Sequence, residues 1–226
     1  MKTTIAIARQ LGSGGSYAGQ RIAAHLGFRY VDRDVLKLAA QELNCAEEDL
    51  AGREECLQSF WDRLLAACSL AAPSEAAYVP PPIQPISDLD LFHKEVEIMN
   101  QIAAQGDCLL MGRAATYVLE DLPGTIKILL HAPAAYRVQR VREIYNVASE
   151  KQARTLIEQS DEMRRKFVFQ MTGVEWMRVE NYHLAFDTSL MSLNEISDII
   201  IDYVRRRQAG DTGTVRGVVT GAQPDA

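Results

Sequence analysis

The chain has 226 residues, 47% hydrophobic and 24% charged, the balance of an ordinary globular domain. Lys+Arg number 24 against 30 Asp+Glu, a formal net charge of −6, which excludes a bulk basic footprint for nucleic acid or an anionic membrane. No apolar run approaches the ~20 residues of a bilayer span. The first eight residues are too quickly polar for a secretory signal. Cys45, Cys56, Cys68 and Cys108 have no C-x-x-C spacing and no clustered histidines. That argues against zinc and for reduced thiols in the cytoplasm.

Residues 5–8 form a short apolar segment, read as a buried first strand, that leads into a glycine-rich turn, Gly12-Ser13-Gly14-Gly15. A helical pattern follows, with Ile22, Ala23 and Leu26 on one side and Gly27 as its stop. Residues 28–31 make a second strand that ends at Asp32. Helical patterns run through 35–43 and 47–70. Pro73, Pro80, Pro81, Pro82 and Pro85 then break the periodicity, so 71–88 reads as a loop or mobile flap. A helix over 89–104 stops near Gly106, and the apolar run 108–111 ends at Gly112-Arg113. Residues 126–131 are a further strand, and Pro133 suits the first turn of the next helix, which carries Arg137, Arg140 and Arg142. Ser149-x-x-Gln152 reads as a capping box opening a long helix to the Phe167 region. Residues 183–187 are the last strand. Ser192-x-x-Glu195 is a second capping box, starting a helix with Leu193, Ile196, Ile200 and Val204 on one face. From Gln208 on, the composition is that of a disordered tail.

Short apolar strands alternating with helices predict an α/β fold with a mostly parallel sheet covered on both faces. Ligands of such sheets bind beyond the carboxyl ends of the strands. Arg9, Asp32, Gly112-Arg113, His131 and Asp187 all fall at that edge. A glycine turn between strand and helix exposes backbone N–H groups at the positive end of a helix dipole, which suits phosphate. The loop departs from the usual G-x-x-x-x-G-K-[ST]: Arg9 stands for the first glycine and Gly15 for the lysine. A tight turn without a ligand is one alternative. A dinucleotide fingerprint is another, since Gly12-x-Gly14 is followed by Asp32 about 20 residues on, although Tyr17 holds the third glycine position.

The run from Ile7 to Gly19, followed by Tyr30-Val31-Asp32-Arg33-Asp34, resembles the opening of the cytidylate kinase-like family. Leu110-Met111-Gly112-Arg113, the strand 126–130, Asp161-x-x-Arg164 and Asp187-Thr188-Ser189 continue the resemblance in order across residues 3–204. It implies a three-layer P-loop kinase fold with a five-stranded parallel sheet. Residues 1–207 would be one domain, with a helical acceptor-binding insertion at 43–91 and a lid near 145–149; 208–226 would be the tail. The implied reaction moves the γ-phosphoryl of ATP to a nucleotide such as CMP or dCMP, with Mg²⁺ assisting. Nucleotide substrates are then the partners, with no nucleic acid and no membrane; a homo-oligomer is compatible with the sequence.

Phosphoryl transfer needs alignment and positive charge around the moving group. Arg9 is the candidate to replace the missing lysine charge, unless it forms a structural ion pair with Asp32 or Asp187. The amides of Gly12, Ser13, Gly14, Gly15 and Ser16 would hold the donor phosphates. With the usual hydroxyl position read at Tyr17, Ser16 or Ser13 would have to approach Mg²⁺ instead. By resemblance, Arg113 grips the acceptor phosphate, for which its planar fork is suited; Ala114 stands where the family usually has Asp. Asp161 and Arg164 share a helix face and match a pair that binds ribose hydroxyls and phosphate; the plain alternative is an intrahelical salt bridge. The arginine that precedes this pair in the family is replaced by Ile157. Arg137 and Arg140 match lid-side arginines, or else lie on a solvated face. Asp32 would serve the acceptor site. His25, His93, His131 and His183 share no partner spacing and read as packing or surface. A lost transition-state donor costs about 10²–10³ in rate, so a nucleotide-binding protein without turnover is the first alternative and a dinucleotide-dependent enzyme the second. Strand order separates the last: a P-loop kinase sheet inserts the third strand between the first two.

Overall fold

The computed structural model describes residues 2–32, 89–112, 115–119 and 122–210. The helical patterns in 35–70, the proline-rich stretch 71–88, Arg113 and residues 211–226 lie outside the described residues.

Five strands form one parallel sheet: β1 (Thr4–Arg9), β2 (Arg29–Val31), β3 (Cys108–Met111), β4 (Thr125–His131) and β5 (Leu184–Asp187). Their order is β2-β3-β1-β4-β5. β3 therefore separates β1 from β2, as the phosphate-loop reading requires. A dinucleotide-binding sheet would pair those two strands directly, so the order counts against that alternative. The helices are α1 (Gly15–Leu26), α2 (Leu89–Gln105), α3 (Ala115–Val118), α4 (Ala134–Ile144), α5 (Glu150–Thr172) and α6 (Leu193–Gln208), with a 3₁₀ turn at Val179–Asn181.

The period of two along each strand sends alternate side chains to opposite faces. Ile5, Ile7, Leu109, Met111, Ile126, Ile128 and Leu130 pack against Ala18 and Ile22 of α1 and Ile196, Ile200 and Val204 of α6. Ala6, Val31, Cys108 and Leu110 face the other way, onto Ile98, Met99 and Ile102 of α2 and Ala115 of α3. Both faces are covered, which is why the strands read as continuous apolar runs. Burial pushes the Cys108 thiol pKa up, consistent with a packing role.

Local signals place most helix ends. Gly27 closes α1 in the left-handed region at φ 68°. Ser192 forms the full capping box with Glu195, and Ser149 accepts from the Gln152 amide at 3.4 Å. Element ends shift by a residue in places: β1 gains Thr4 and Arg9, β2 starts after Phe28, β4 gains Thr125 and α2 gains Gln105, and three further boundaries differ from the sequence reading. Pro133 is the N-cap of α4 rather than its first helical residue, with ψ 147°. α5 runs to Thr172 and stops at Gly173. β5 begins one residue later, at Leu184, and His183 before it is clipped onto β4 twice: its amide donates to Lys127 O and its Nδ1 accepts from the Lys127 amide, both at 2.8 Å. Among the described residues no helix is long and apolar enough to cross a membrane.

α4 and α5 pack on each other through Val138, Val141, Ala153 and Ile157, and Leu11 of the glycine loop joins that cluster. The loop is thus wedged between the end of β1 and a two-helix arm. Residues 145–149 form the bend of that arm.

Candidate functional site

The carboxyl ends of the five strands bring Arg9, Asp32, Gly112, His131 and Asp187 to one edge, as the parallel register dictates. The glycine loop sits above β1. Gly12 and Gly14 have φ of 83° and 79°, a region that costs an L-residue about 1 kcal/mol or more. Space is also closed to side chains: a Cβ at Gly12 would lie 2.8 Å from the Arg137 carbonyl oxygen, and one at Gly14 would lie 2.5 Å from Leu193 Cδ1. The loop is therefore backed by α4 and by the start of α6.

Ser13 is fully buried. Its amide and its hydroxyl both donate to the Gln10 carbonyl, at 3.2 and 2.9 Å. It closes the loop on itself, so both groups point away from the phosphate and Mg²⁺ roles expected of them. The first intrahelical bond of α1 runs from the Ala18 amide to Gly14 O at 3.2 Å. The amides just before it have no intrahelical acceptor and stand at the positive end of the helix dipole. The spacing of the loop pattern itself corrects the reading at Tyr17. With Arg9 in the place of the first glycine and Gly15 in that of the lysine, the hydroxyl place is Ser16. Tyr17 turns to α6, its Oη donating to Asn194 Oδ1 at 2.9 Å.

Arg9 is the last residue of β1. A Cβ at Gly15 would lie 2.8 Å from both Cβ and Cδ of Arg9, and one at Gly112 would lie 3.8 Å from Arg9 Nη1. The arginine stem therefore crosses the bare backbone at Gly15, and its guanidinium approaches the end of β3. Among the described residues Arg9 makes no ion pair, so the structural pair with Asp32 or Asp187 is not formed there. Asp187 Oδ1 instead accepts from the amide and hydroxyl of Ser189, at 2.9 and 2.6 Å, and these bonds hold its carboxyl below the usual range. Asp32 is 6% exposed directly after β2. Arg113 lies outside the described residues.

Arg137 is 6% exposed rather than on a solvated face. Its Nε donates to Ala132 O at 2.9 Å, and its Nη1 donates to Asp161 Oδ2 at 2.8 Å and to Leu11 O at 3.4 Å. Gln10 completes the circuit. Its Nε2 donates to Asp161 Oδ2 at 3.5 Å, and its Oε1 accepts from the Ala132 amide at 3.2 Å. Asp161 thus pairs across helices with Arg137, and Arg164 Nη1 donates to Ser160 Oγ at 2.7 Å. Asp161 Oδ1 is buried without a hydrogen-bond partner among the described residues. Burial raises the Asp161 pKa, with Arg137 and Arg164 pulling it back. Arg140 is half-buried, its guanidinium carbon 6.0 Å from the centroid of the Tyr136 ring. Ile157 is 2% exposed in the cluster around Leu11, an apolar surrounding in which an unpaired charge would be costly.

Three residues escaped the sequence reading. Gln10 bridges the loop to α5. Tyr145 is half-buried at the bend of the arm; burial pushes its phenol up to about 12, while Arg9 and Arg164 both pull it down. Both guanidinium groups therefore bear electrostatically on one phenol, although they come from β1 and α5. Thr188 is fully buried and fixes the exit of β5, with its amide and hydroxyl donating to His131 O at 2.8 and 3.3 Å. Gln10 carried a weak signal, as a polar residue between a strand and a glycine loop; Tyr145 stood at the edge of the expected lid and Thr188 in the Asp187-Thr188-Ser189 motif, with no individual role assigned to either.

Among the described residues no three His, Cys, Asp or Glu side chains gather into a metal site. Mg²⁺ carried on phosphates keeps most of its waters and takes few protein ligands, and the hydroxyl at the corresponding position of the loop pattern is that of Ser16.

Comparison with solved structures finds the same fold in an uncharacterized protein from Eubacterium ventriosum ATCC 27560. The two are 18% identical with a TM-score of 0.66, and the match covers 90% of this chain and 99% of that one. A gluconokinase from Sinorhizobium meliloti 1021 is 15% identical with a TM-score of 0.53, over 92% of this chain and 95% of that one. No curated protein matches the chain. The sequence profile of the cytidylate kinase-like family matches residues 4–190. With its five-stranded parallel sheet, phosphate loop and kinase-like architecture, the chain belongs to the cytidylate kinase-like family.

Proposed function

We propose that the protein is a phosphotransferase that moves the γ-phosphoryl of ATP to a nucleoside monophosphate, with CMP or dCMP as acceptor. An acceptor phosphate oxygen forms the new bond to the γ-phosphorus. The bond from that phosphorus to the bridging oxygen breaks, and ADP leaves with the electron pair. The amides of Gly12, Gly14, Gly15 and Ser16 hold the donor phosphates. Arg9 supplies the cation that the loop lysine would have supplied, and Arg113 and Arg164 act on the acceptor and transferring phosphates. Asp32 serves the acceptor site and Arg140 the lid side. Mg²⁺ bound to the donor would offset its phosphate charge. The reading assumes a cytoplasmic enzyme, supplied with ATP and keeping its thiols reduced.

The observation that carries this reading is the course of Arg9 across Gly15 toward the end of β3. A cation held there stands over the helix N-terminus, where charge spreads onto the moving phosphoryl oxygens. A coupled ADP-release assay over a panel of nucleoside monophosphates tests it. Wild type is expected to show CMP- or dCMP-dependent release, and Arg9→Ala and Arg113→Ala each to lose about 10²–10³ of it. Wild type without acceptor-dependent release would end the enzyme reading. Gly15 at the lysine position favours one other reading, nucleotide binding without turnover. Calorimetry would then show ATP binding with no acceptor-dependent release.

A further inference from the structure

We infer that Asp161 is a positioning residue for the phosphate loop, acting through Arg137 and Gln10, and not a contact for the acceptor ribose. The inference rests on the phosphate-loop reading above.

Asp161 Oδ2 takes two donors, Arg137 Nη1 at 2.8 Å and Gln10 Nε2 at 3.5 Å. Both donors belong to groups that hold the loop. Arg137 Nη1 also donates to Leu11 O at 3.4 Å, and the Arg137 carbonyl oxygen lies where a Cβ at Gly12 would fall, 2.8 Å away. Gln10 accepts from Ala132, the residue that also accepts from Arg137 Nε. The five residues Gln10, Leu11, Ala132, Arg137 and Asp161 thus close one circuit beneath the loop. A buried arginine needs its carboxylate, since truncating one partner strands the other charge. Without Asp161, Arg137 has only carbonyl acceptors, and both the Leu11 carbonyl and the Gly12 backbone lose a fixed backing. The same circuit joins α4 to α5 on either side of the 145–149 bend, so the arm and the loop hold one geometry together.

The test uses the full chain, with Asp161→Ala, Asp161→Asn and Gln10→Ala. ATP dissociation constants come from calorimetry, and KM for ATP and for CMP are measured separately. Asp161→Ala is expected to weaken ATP about tenfold or more, the scale of one charge-assisted hydrogen bond, with KM for CMP unchanged. Asp161→Asn keeps an oxygen for Arg137 and Gln10 but not the charge, so its ATP affinity is expected to fall between those of Asp161→Ala and wild type. Gln10→Ala is expected to move ATP affinity in the same direction as Asp161→Ala. Loss of folding alone would reduce the active fraction without shifting either constant. Should Asp161→Ala fail to fold, Gln10→Ala gives the same KM split. A rise in KM for CMP alone, with ATP binding intact, would overturn the inference and return Asp161 to the acceptor. Wild type that binds no ATP would instead overturn the phosphate-loop reading itself.

Discussion

Arg9→Gly and Gly15→Lys, made separately and together, move the loop's positive charge from the end of β1 to the first residue of α1. The pair also restores the G-x-x-x-x-G-K-S spacing, because Gly14 and Ser16 are already in place. Arg9→Gly alone removes a preorganised donor and is expected to cost about 10²–10³ in turnover, or ~3–4 kcal/mol of transition-state stabilisation. Gly15→Lys alone places a Cβ 2.8 Å from both Cβ and Cδ of Arg9. Carbon atoms at that separation repel, so the arginine stem must move, an overpacking cost of about 1–3 kcal/mol. In the double variant the clash is gone and a cation is back. Loss of the Arg9 donor alone would leave it about 3–4 kcal/mol below wild type, whereas recovery to within about tenfold would mean that the lysine restores about 2 kcal/mol or more of transition-state stabilisation. The assay is kcat/KM by coupled ADP release with CMP, alongside thermal melts to show that each variant folds. Wild-type turnover in Arg9→Gly, or a double variant no better than the worse single, would refute the role given to Arg9.

Two further predictions concern stability. Ser192→Ala breaks the capping box, in which the Glu195 amide donates to Ser192 Oγ at 3.2 Å and the Ser192 amide donates to Glu195 Oε2 at 2.9 Å. It should lower the urea midpoint by an amount worth about 1 kcal/mol at constant m-value; an unmoved midpoint would contradict the cap. His183 accepts at Nδ1 from the Lys127 amide, and burial, Arg207 and Lys127 lower its pKa below 6.5. The folded state therefore favours the neutral ring. Its contribution is fully present above about pH 6.5 and is lost as pH falls from there through the folded pKa. Stability of wild type relative to His183→Gln should accordingly decline between about pH 7 and 5, and a difference independent of pH would contradict the assignment.

Much of the architecture was legible because it is written in short-range patterns. The strand at 108–111 is apolar on both faces and that at 126–131 nearly so, with Lys127 and His131 on one face, and glycine or serine at the helix ends is a local backbone requirement. The parallel sheet then brings Arg9, Asp32, Gly112, His131 and Asp187 to one edge whatever the details of packing. The departure at Ile157 was visible, but its surroundings were not: the side chain packs in one cluster with Leu11, from near the other end of the chain.

The amino-acid sequence alone determined the strand–loop–helix opening, the sheet edge that carries the site and the family to which the chain belongs. Only tertiary structure decided how each polar group is used. Arginines at 9, 137 and 164 look alike in a linear string, yet one crosses Gly15 toward the end of β3, one is buried beneath the loop and one bonds a serine on its own helix. The partner of Asp161 was three residues away by helix periodicity and proved to be Arg137 on another helix, with Gln10, 151 residues distant, on the same oxygen. Helix and strand periods specify which face a residue occupies. Which charge meets which is set by desolvation and geometry between distant segments, and no local pattern encodes those.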